Sequence, residues 1–182
     1  MYIAEYRVIV TQRLELVPAT PELARAALDG PRALGDSLGA CVPPTWPPEY
    51  LDAPSLEFTV DRLEEGPEQA GWWLYFVLLT AAEGGRTLIG GAGYKGPPST
   101  DGMVEVGYGI VSDHRRRGYA SETVRGLLGH AFALPAVQRV ISETLPELAP
   151  SIGVLRKCGF CLIGEGSEPG VIRFELTRAG RV

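Results

Sequence analysis

The sequence lacks the marks of a secreted, membrane-spanning or metal-built protein. Its longest apolar run, Trp72 to Leu79, is too short to cross a hydrocarbon core of roughly 30 Å as a helix and reads as a buried strand. The first residues, Met1-Tyr2-Ile3-Ala4-Glu5-Tyr6-Arg7, carry neither the basic start, the apolar middle nor the small-residue cleavage site of a secretory leader. A cytoplasmic protein that does not engage the membrane is expected. There are 3 cysteines, Cys41, Cys158 and Cys161, which cannot all pair within one chain, and a domain of this size needs no stapling. A reducing compartment is the simpler reading. Cys158-Gly159-Phe160-Cys161 has redox or zinc spacing, yet no second cysteine pair or nearby histidine exists, so both thiols are expected in the core and no metal site is expected. Histidine is just as scarce: His114 adjoins the arginine run Arg115-Arg116-Arg117 and His130 falls within a helical pattern, so neither suggests a hydrolytic triad.

Positive charge is also in short supply. Lys and Arg number 17 against 22 Asp and Glu, a formal charge of −5, which argues against direct nucleic-acid binding because neutralising phosphates needs a cationic surplus. Any anion site must be local. The nucleotide fingerprints are missing too. No Gly-x-x-x-x-Gly-Lys-Ser/Thr occurs, and Gly107-Tyr108-Gly109-Ile110-Val111-Ser112 is a broken dinucleotide pattern lying within a strand, not after one.

What is present is a globular chain of 182 residues with 45% hydrophobic content, expected to form a single domain over residues 1–182. Arg13-Leu14-Glu15-Leu16-Val17 alternates as a strand, and Thr20-Pro21-Glu22 opens a short helix to about Leu28 by cap and proline logic. A proline-rich loop, Val42 to Pro48, follows, then a helix over Ser55 to Leu63. Trp72–Thr80 and Thr87–Tyr94, separated by Glu83-Gly84-Gly85-Arg86, read as an antiparallel hairpin. Val104 to Val111 alternates strictly, with Val104, Val106, Tyr108 and Ile110 on one face and Glu105 on the other. Gly107 and Gly109 inside that strand predict a bulge or a close approach to its backbone. Gly118 to about Leu134 has helical spacing stopped by Pro135, and Arg139–Thr144, a helix from Ser151 to Cys158, Phe160–Gly164 and Val171–Thr177 complete a mixed α/β order.

One loop stands out. Arg115-Arg116-Arg117-Gly118-Tyr119-Ala120 sits between a strand and a long helix, where the unpaired N–H groups of the first turn disfavour cations by about 0.3–1 kcal/mol each. A bound anion reverses that sign, and outward N–H groups with a glycine and guanidiniums make a phosphate or pyrophosphate cradle. The competing reading is a solvated basic turn.

These residues resemble the Gln/Arg-x-x-Gly-x-Gly/Ala signature of the GNAT N-acetyltransferases. Thr11-Gln12-Arg13-Leu14-Glu15-Leu16, Val104-Glu105-Val106-Gly107-Tyr108 and Ser151 through Leu155-Arg156-Lys157-Cys158-Gly159-Phe160 are similar to further segments of its RimJ/RimL-like branch, in the same order. The resemblance implies the acyl-CoA N-acyltransferase fold: a twisted, mostly antiparallel sheet of six to seven strands flanked by about four helices. The fourth and fifth strands, here Val104–Val111 and Arg139–Thr144, would splay around a bulge and admit pantetheine. It implies acetyl-CoA as acyl donor, held by Arg115, Arg116, Arg117, Gly118, Tyr119 and Ala120, with main-chain groups of Ile110 and Val111 along the pantetheine arm. An amine acceptor completes the reaction, in a monomer or homodimer.

Acyl transfer to an amine requires a neutral amine, a stabilised oxyanion and a proton for the departing thiolate. By resemblance Glu105 is the candidate base and Ser151 the candidate acid; a solvated strand carboxylate and a helix-capping serine are the bland counterparts of each. Leu155 stands where many relatives carry a tyrosine acid, and Leu148 where they carry an asparagine. A catalytically degenerate acyl-CoA-binding module is therefore the alternative reading. Trp46 and Tyr50 fall in the segment where the family builds its acceptor wall, with packing of the loop as the other role for Trp46. An α-amine with pKa of about 8 is neutral far more often at pH 7 than a lysine at about 10.4, so protein N-termini lead, ahead of small-molecule amines.

Overall fold

The computed structural model describes residues 7–180; the stretch Met1–Tyr6, read above for targeting signals, lies outside the described residues. The strands are β1 (Ile9–Val10), β2 (Leu14–Pro18), β3 (Leu74–Thr80), β4 (Arg86–Tyr94), β5 (Met103–Ile110), β6 (Arg139–Thr144), β7 (Cys161–Glu165) and β8 (Ile172–Thr177). They form one 8-stranded sheet in the order β1-β2-β3-β4-β5-β6-β8-β7. Every neighbouring pair is antiparallel except β5 with β6. The helices are α1 (Pro21–Asp29), α2 (Pro31–Leu38), α3 (Ala53–Glu64), α4 (Tyr119–Ala133) and α5 (Ala149–Lys157).

Local chemistry explains most of these boundaries. The Thr20 side chain accepts from the Leu23 N–H at 3.2 Å with Pro21 in the first turn, and Asp52 does the same for α3 through Ser55 N–H at 3.0 Å. The excess over the expected strand and helix number lies in the two-residue β1 and in α2. Leu34 and Leu38, four apart, bury the inner face of α2, but Gly35 within it interrupts the pattern in sequence. The hydrophobic core lies where α4 packs Val124, Leu127 and Ala131, all fully buried, against the sheet that carries Val104 and Val106. Each such side chain contributes roughly 1.5–3 kcal/mol of burial.

The sheet opens in the middle. β5 pairs with β6 only from Met103–Glu105 to Arg139–Ile141. Beyond that point β5 continues to Ile110 paired with β4 alone, and β6 continues to Thr144 paired with β8 alone. The bulge, however, is not in β5. Val106 to Ile110 keep continuous register with β4, and irregular steps fall between β3 and β4, where Ile89 is the extra residue between Leu88 and Gly90, and between β7 and β8, where Ile163 is extra between Leu162 and Gly164. Gly107 and Gly109 serve a different end. A Cβ on Gly109 would meet Pro48 at 3.2 Å, so the proline-rich loop lies on the strand there, whereas a Cβ on Gly107 would meet nothing within 4 Å.

Candidate active site

The loop between β5 and α4 is the candidate anion site. Arg116 (φ 63) and Gly118 (φ 83) both lie in the left-handed region, while Arg115 before them is extended, so the chain turns sharply into the start of α4. The N–H groups from Arg116 through Ser121 donate to no acceptor among the described residues, the first intrahelical bond being Glu122 N–H to Gly118 O at 3.0 Å. Tyr119 and Ala120 enter this set as the first two residues of α4, Tyr119 with its ring buried. The three arginines do not behave alike. Arg116 and Arg117 make no side-chain ion pair or hydrogen bond among the described residues, while Arg115 turns back, donating from Nε to Ile110 O at 2.8 Å and pairing with Glu49 at 3.5 Å.

A second set of residues holds this loop in place. Arg13 Nε and Nη2 reach the Glu122 carboxylate, each at 2.7 Å, its N–H donates to the same group at 2.8 Å, and Thr11 Oγ1 adds a bond of 2.7 Å. Arg13 Nη1 also donates to Arg117 O, and its guanidinium lies over the Tyr119 ring at 4.5 Å. Burial alone would raise the Glu122 carboxyl, but the bonds from Thr11 and Arg13 and the Arg13 charge outweigh it and hold the group below the usual carboxylate range. A carboxyl depressed on folding adds stability above its unfolded pKa and loses that stability as pH falls through the folded value. Glu122→Gln is therefore expected to lower the melting temperature by about 2–4 °C at pH 7. The gap should narrow in acid; a difference independent of pH would contradict the charge account. A groove of about 600 Å3 beside Gly118 is lined by Arg13, Glu122, Arg125 and Lys157. These lining residues escaped sequence reading, because they come from the turn before β2, from α4 and from the end of α5.

Along the open edge of β5 the alternation of a strand decides which main-chain groups face the gap. Val111 N–H donates to Ile89 O at 2.9 Å, so Val111 faces β4 and away from the gap. Val106, Tyr108 and Ile110 face the β6 side: Val106 O accepts from Ser142 Oγ at 3.0 Å, Ile110 O from Arg115, and the main chain of Tyr108 lies between them. Of the two residues expected along the pantetheine arm, Ile110 turns its main chain to the open edge, as Tyr108 does, and Val111 turns its N–H to β4.

Glu105 shares its face of β5 with Gly107 and Gly109, and its carboxylate is ion-paired with Lys95. Ser151 does not cap α5. The N-cap is Leu148, which makes no side-chain cap bond, and Ser151 Oγ instead lies 3.2 Å from the hydroxyl of Tyr108, which also donates to Ser151 O at 3.1 Å. Leu155 is fully buried in the core. Trp46 is buried too, its ring 6.1 Å from Phe76, so it anchors the loop, whereas Tyr50 is 81% exposed at φ 69. Glu49 and Thr45, the latter 3.4 Å from Asp113, tie this loop to the segment before the candidate anion site. Cys158 is half-buried, but Cys161 is exposed on β7, the sheet edge, contrary to the expectation that both thiols are core. No cluster of metal-ligating side chains occurs among the described residues. His130 lies in an aromatic cluster, Nδ1 3.2 Å from Tyr94 Oη.

Residues 13–161 match the model of the acetyltransferase (GNAT) domain, and the chain belongs to that family. It is 32% identical over 81 residues to the uncharacterized N-acetyltransferase YjdG of Bacillus subtilis, a match covering 44% of this chain. That match spans 48% of the relative's length, so the chain covers about half of it. Among solved structures, a GNAT-family acetyltransferase from Bacillus anthracis superposes with a TM-score of 0.63 at 20% identity, over 94% of this chain and 98% of the other. RimL, a ribosomal-protein α-N-acetyltransferase in complex with coenzyme A, gives 0.63 at 16% identity over 94% and 98%. These likenesses are likenesses of fold.

Proposed function

We propose that this protein is an acetyl-CoA-dependent N-acetyltransferase that acylates a primary amine by direct attack in a ternary complex. The reading is carried by the row of unpartnered N–H groups from Arg116 to Ser121, at the start of α4 and beside the open edge of β5. A helix start with free N–H groups and the cations Arg116 and Arg117 suits a diphosphate. The Tyr108 and Ile110 edge suits an amide-bearing arm, and an N–H on it would meet the oxyanion. Glu105 takes the amine proton, directly or through water, and Ser151 gives a proton to the departing thiolate. The exposed Tyr50 forms part of the acceptor wall. The relatives named for α-N-acetylation favour a protein N-terminus as acceptor, with small-molecule amines as the other class. The protein works in the cytoplasm, as a monomer or homodimer.

A specific observation supports a second reading. Leu155 and Leu148 replace polar side chains expected from the family pattern, which suits a module that binds acyl-CoA without turning it over. A thiol-release assay with acetyl-CoA and a panel of amino-terminal peptides and small amines separates the two. Release above the hydrolysis background supports the enzyme; binding without release supports the module. Within the enzyme reading, Glu105→Gln is expected to reduce turnover at pH 7 by about 100-fold, with partial recovery at higher pH where the amine loses its own proton. Unchanged turnover would remove Glu105 from the mechanism.

A further inference from the structure

We infer that Tyr108 is the positioning residue that aims the Ser151 hydroxyl at the leaving sulfur, an inference that rests on the reading of Ser151 as the acid. The observation is the bridge across the mouth of the gap. The Tyr108 side chain leaves β5 where that strand has lost β6 as a neighbour, and its hydroxyl lies 3.1 Å from Ser151 O and 3.2 Å from Ser151 Oγ in the first turn of α5. One phenolic proton thus faces two acceptors on the same residue. When it lies on the carbonyl, the serine proton can turn to the phenol oxygen. When it moves to Oγ, the serine proton is freed from Tyr108 and can turn to the gap.

Burial of the phenol calls for one partner, which the Ser151 carbonyl already supplies at 3.1 Å; the contact to Ser151 Oγ is additional to that need. Ser151 does not cap its helix, and Tyr108 is held by ring packing against the core whether or not its hydroxyl is bonded. A serine alone is a poor acid with several rotamers, so an oriented hydroxyl is worth more than a free one. Tyr108 also keeps its own proton: burial pushes the phenol up to about 12, so it remains a neutral donor throughout the range in which the amine is reactive. The same residue contributes main chain to the open edge of β5, so the arm that carries the sulfur and the group that aims the acid are set by one position in the strand.

The test is a double-mutant cycle on the full chain, with thiol-release kinetics, coenzyme A affinity and melting temperature measured for wild type, Tyr108→Phe, Ser151→Ala and the double variant. Phenylalanine keeps the ring and removes only the hydroxyl. The expected result is a fall in kcat of about tenfold for Tyr108→Phe, with KM for acetyl-CoA and coenzyme A affinity within about twofold of wild type, the size of one net hydrogen bond. Adding it to Ser151→Ala should cost nothing further. Wild-type kcat in Tyr108→Phe beside a slow Ser151→Ala would overturn the inference while leaving the acid reading intact. Multiplying effects in the double variant would also overturn it, because Tyr108 would then act apart from Ser151. Full turnover by Ser151→Ala would remove the acid reading, and this inference with it.

Discussion

Replacing Gly118 by aspartate is expected to weaken coenzyme A binding by about 100-fold. Gly118 is left-handed at φ 83 and ψ −1 and stands where the unpartnered N–H groups of the loop meet the start of α4. A carboxylate at that point would compete for those donors and repel a diphosphate. Hydrogen bonds to charged groups contribute about 1.5–3 kcal/mol, and 2.8 kcal/mol is about two decades in Kd. Backbone strain is a smaller part, since aspartate and asparagine tolerate the left-handed region better than most residues. Gly118→Asn therefore separates the two causes. It carries a similar shape without the charge and should stay within about tenfold of wild type. Equal losses in both variants would mean strain alone; unchanged affinity in Gly118→Asp would contradict the anion assignment.

Ser151→Ala is expected to lower kcat by about 100-fold while leaving KM for acetyl-CoA and the melting temperature close to wild type. A positioned proton donor contributes about 100-fold or more. A helix cap, by contrast, contributes about 1 kcal/mol of stability and little to rate. Geometry speaks against the cap, because the N-cap of α5 is Leu148 and the Ser151 hydroxyl lies 3.2 Å from that of Tyr108. Turnover retained with a melting point several degrees lower would reverse the assignment.

Several elements were legible in sequence because their causes are local. Thr20 with Pro21, the alternation through Leu14 and Leu16, the glycine turn between β3 and β4, and the stop at Pro135 each act within a few residues, and each element begins or ends close to the expected place. The candidate anion loop stood out for the same reason: three arginines and a glycine at a strand-to-helix junction are out of place without a ligand. What escaped is long-range. Arg13 and Glu122 are neighbours only because β2 lies against α4, and nothing in either segment names the other. Tyr108 and Ser151 meet only because β5 and β6 part. Gly107 and Gly109 left a bulge and a close approach both open; the approach is found at Gly109, under Pro48, and the register step lies one strand away at Ile89, beside Gly90 and Gly91. Val111, one residue past Ile110, turns its N–H to β4, because one step along a strand reverses the edge that the main chain serves.

Isothermal titration of coenzyme A into the folded wild-type protein tests the central claim most directly. The account predicts saturable uptake of one coenzyme A per chain, weakened about 100-fold in Gly118→Asp and retained in Ser151→Ala. Well-folded protein that takes up no coenzyme A would contradict it.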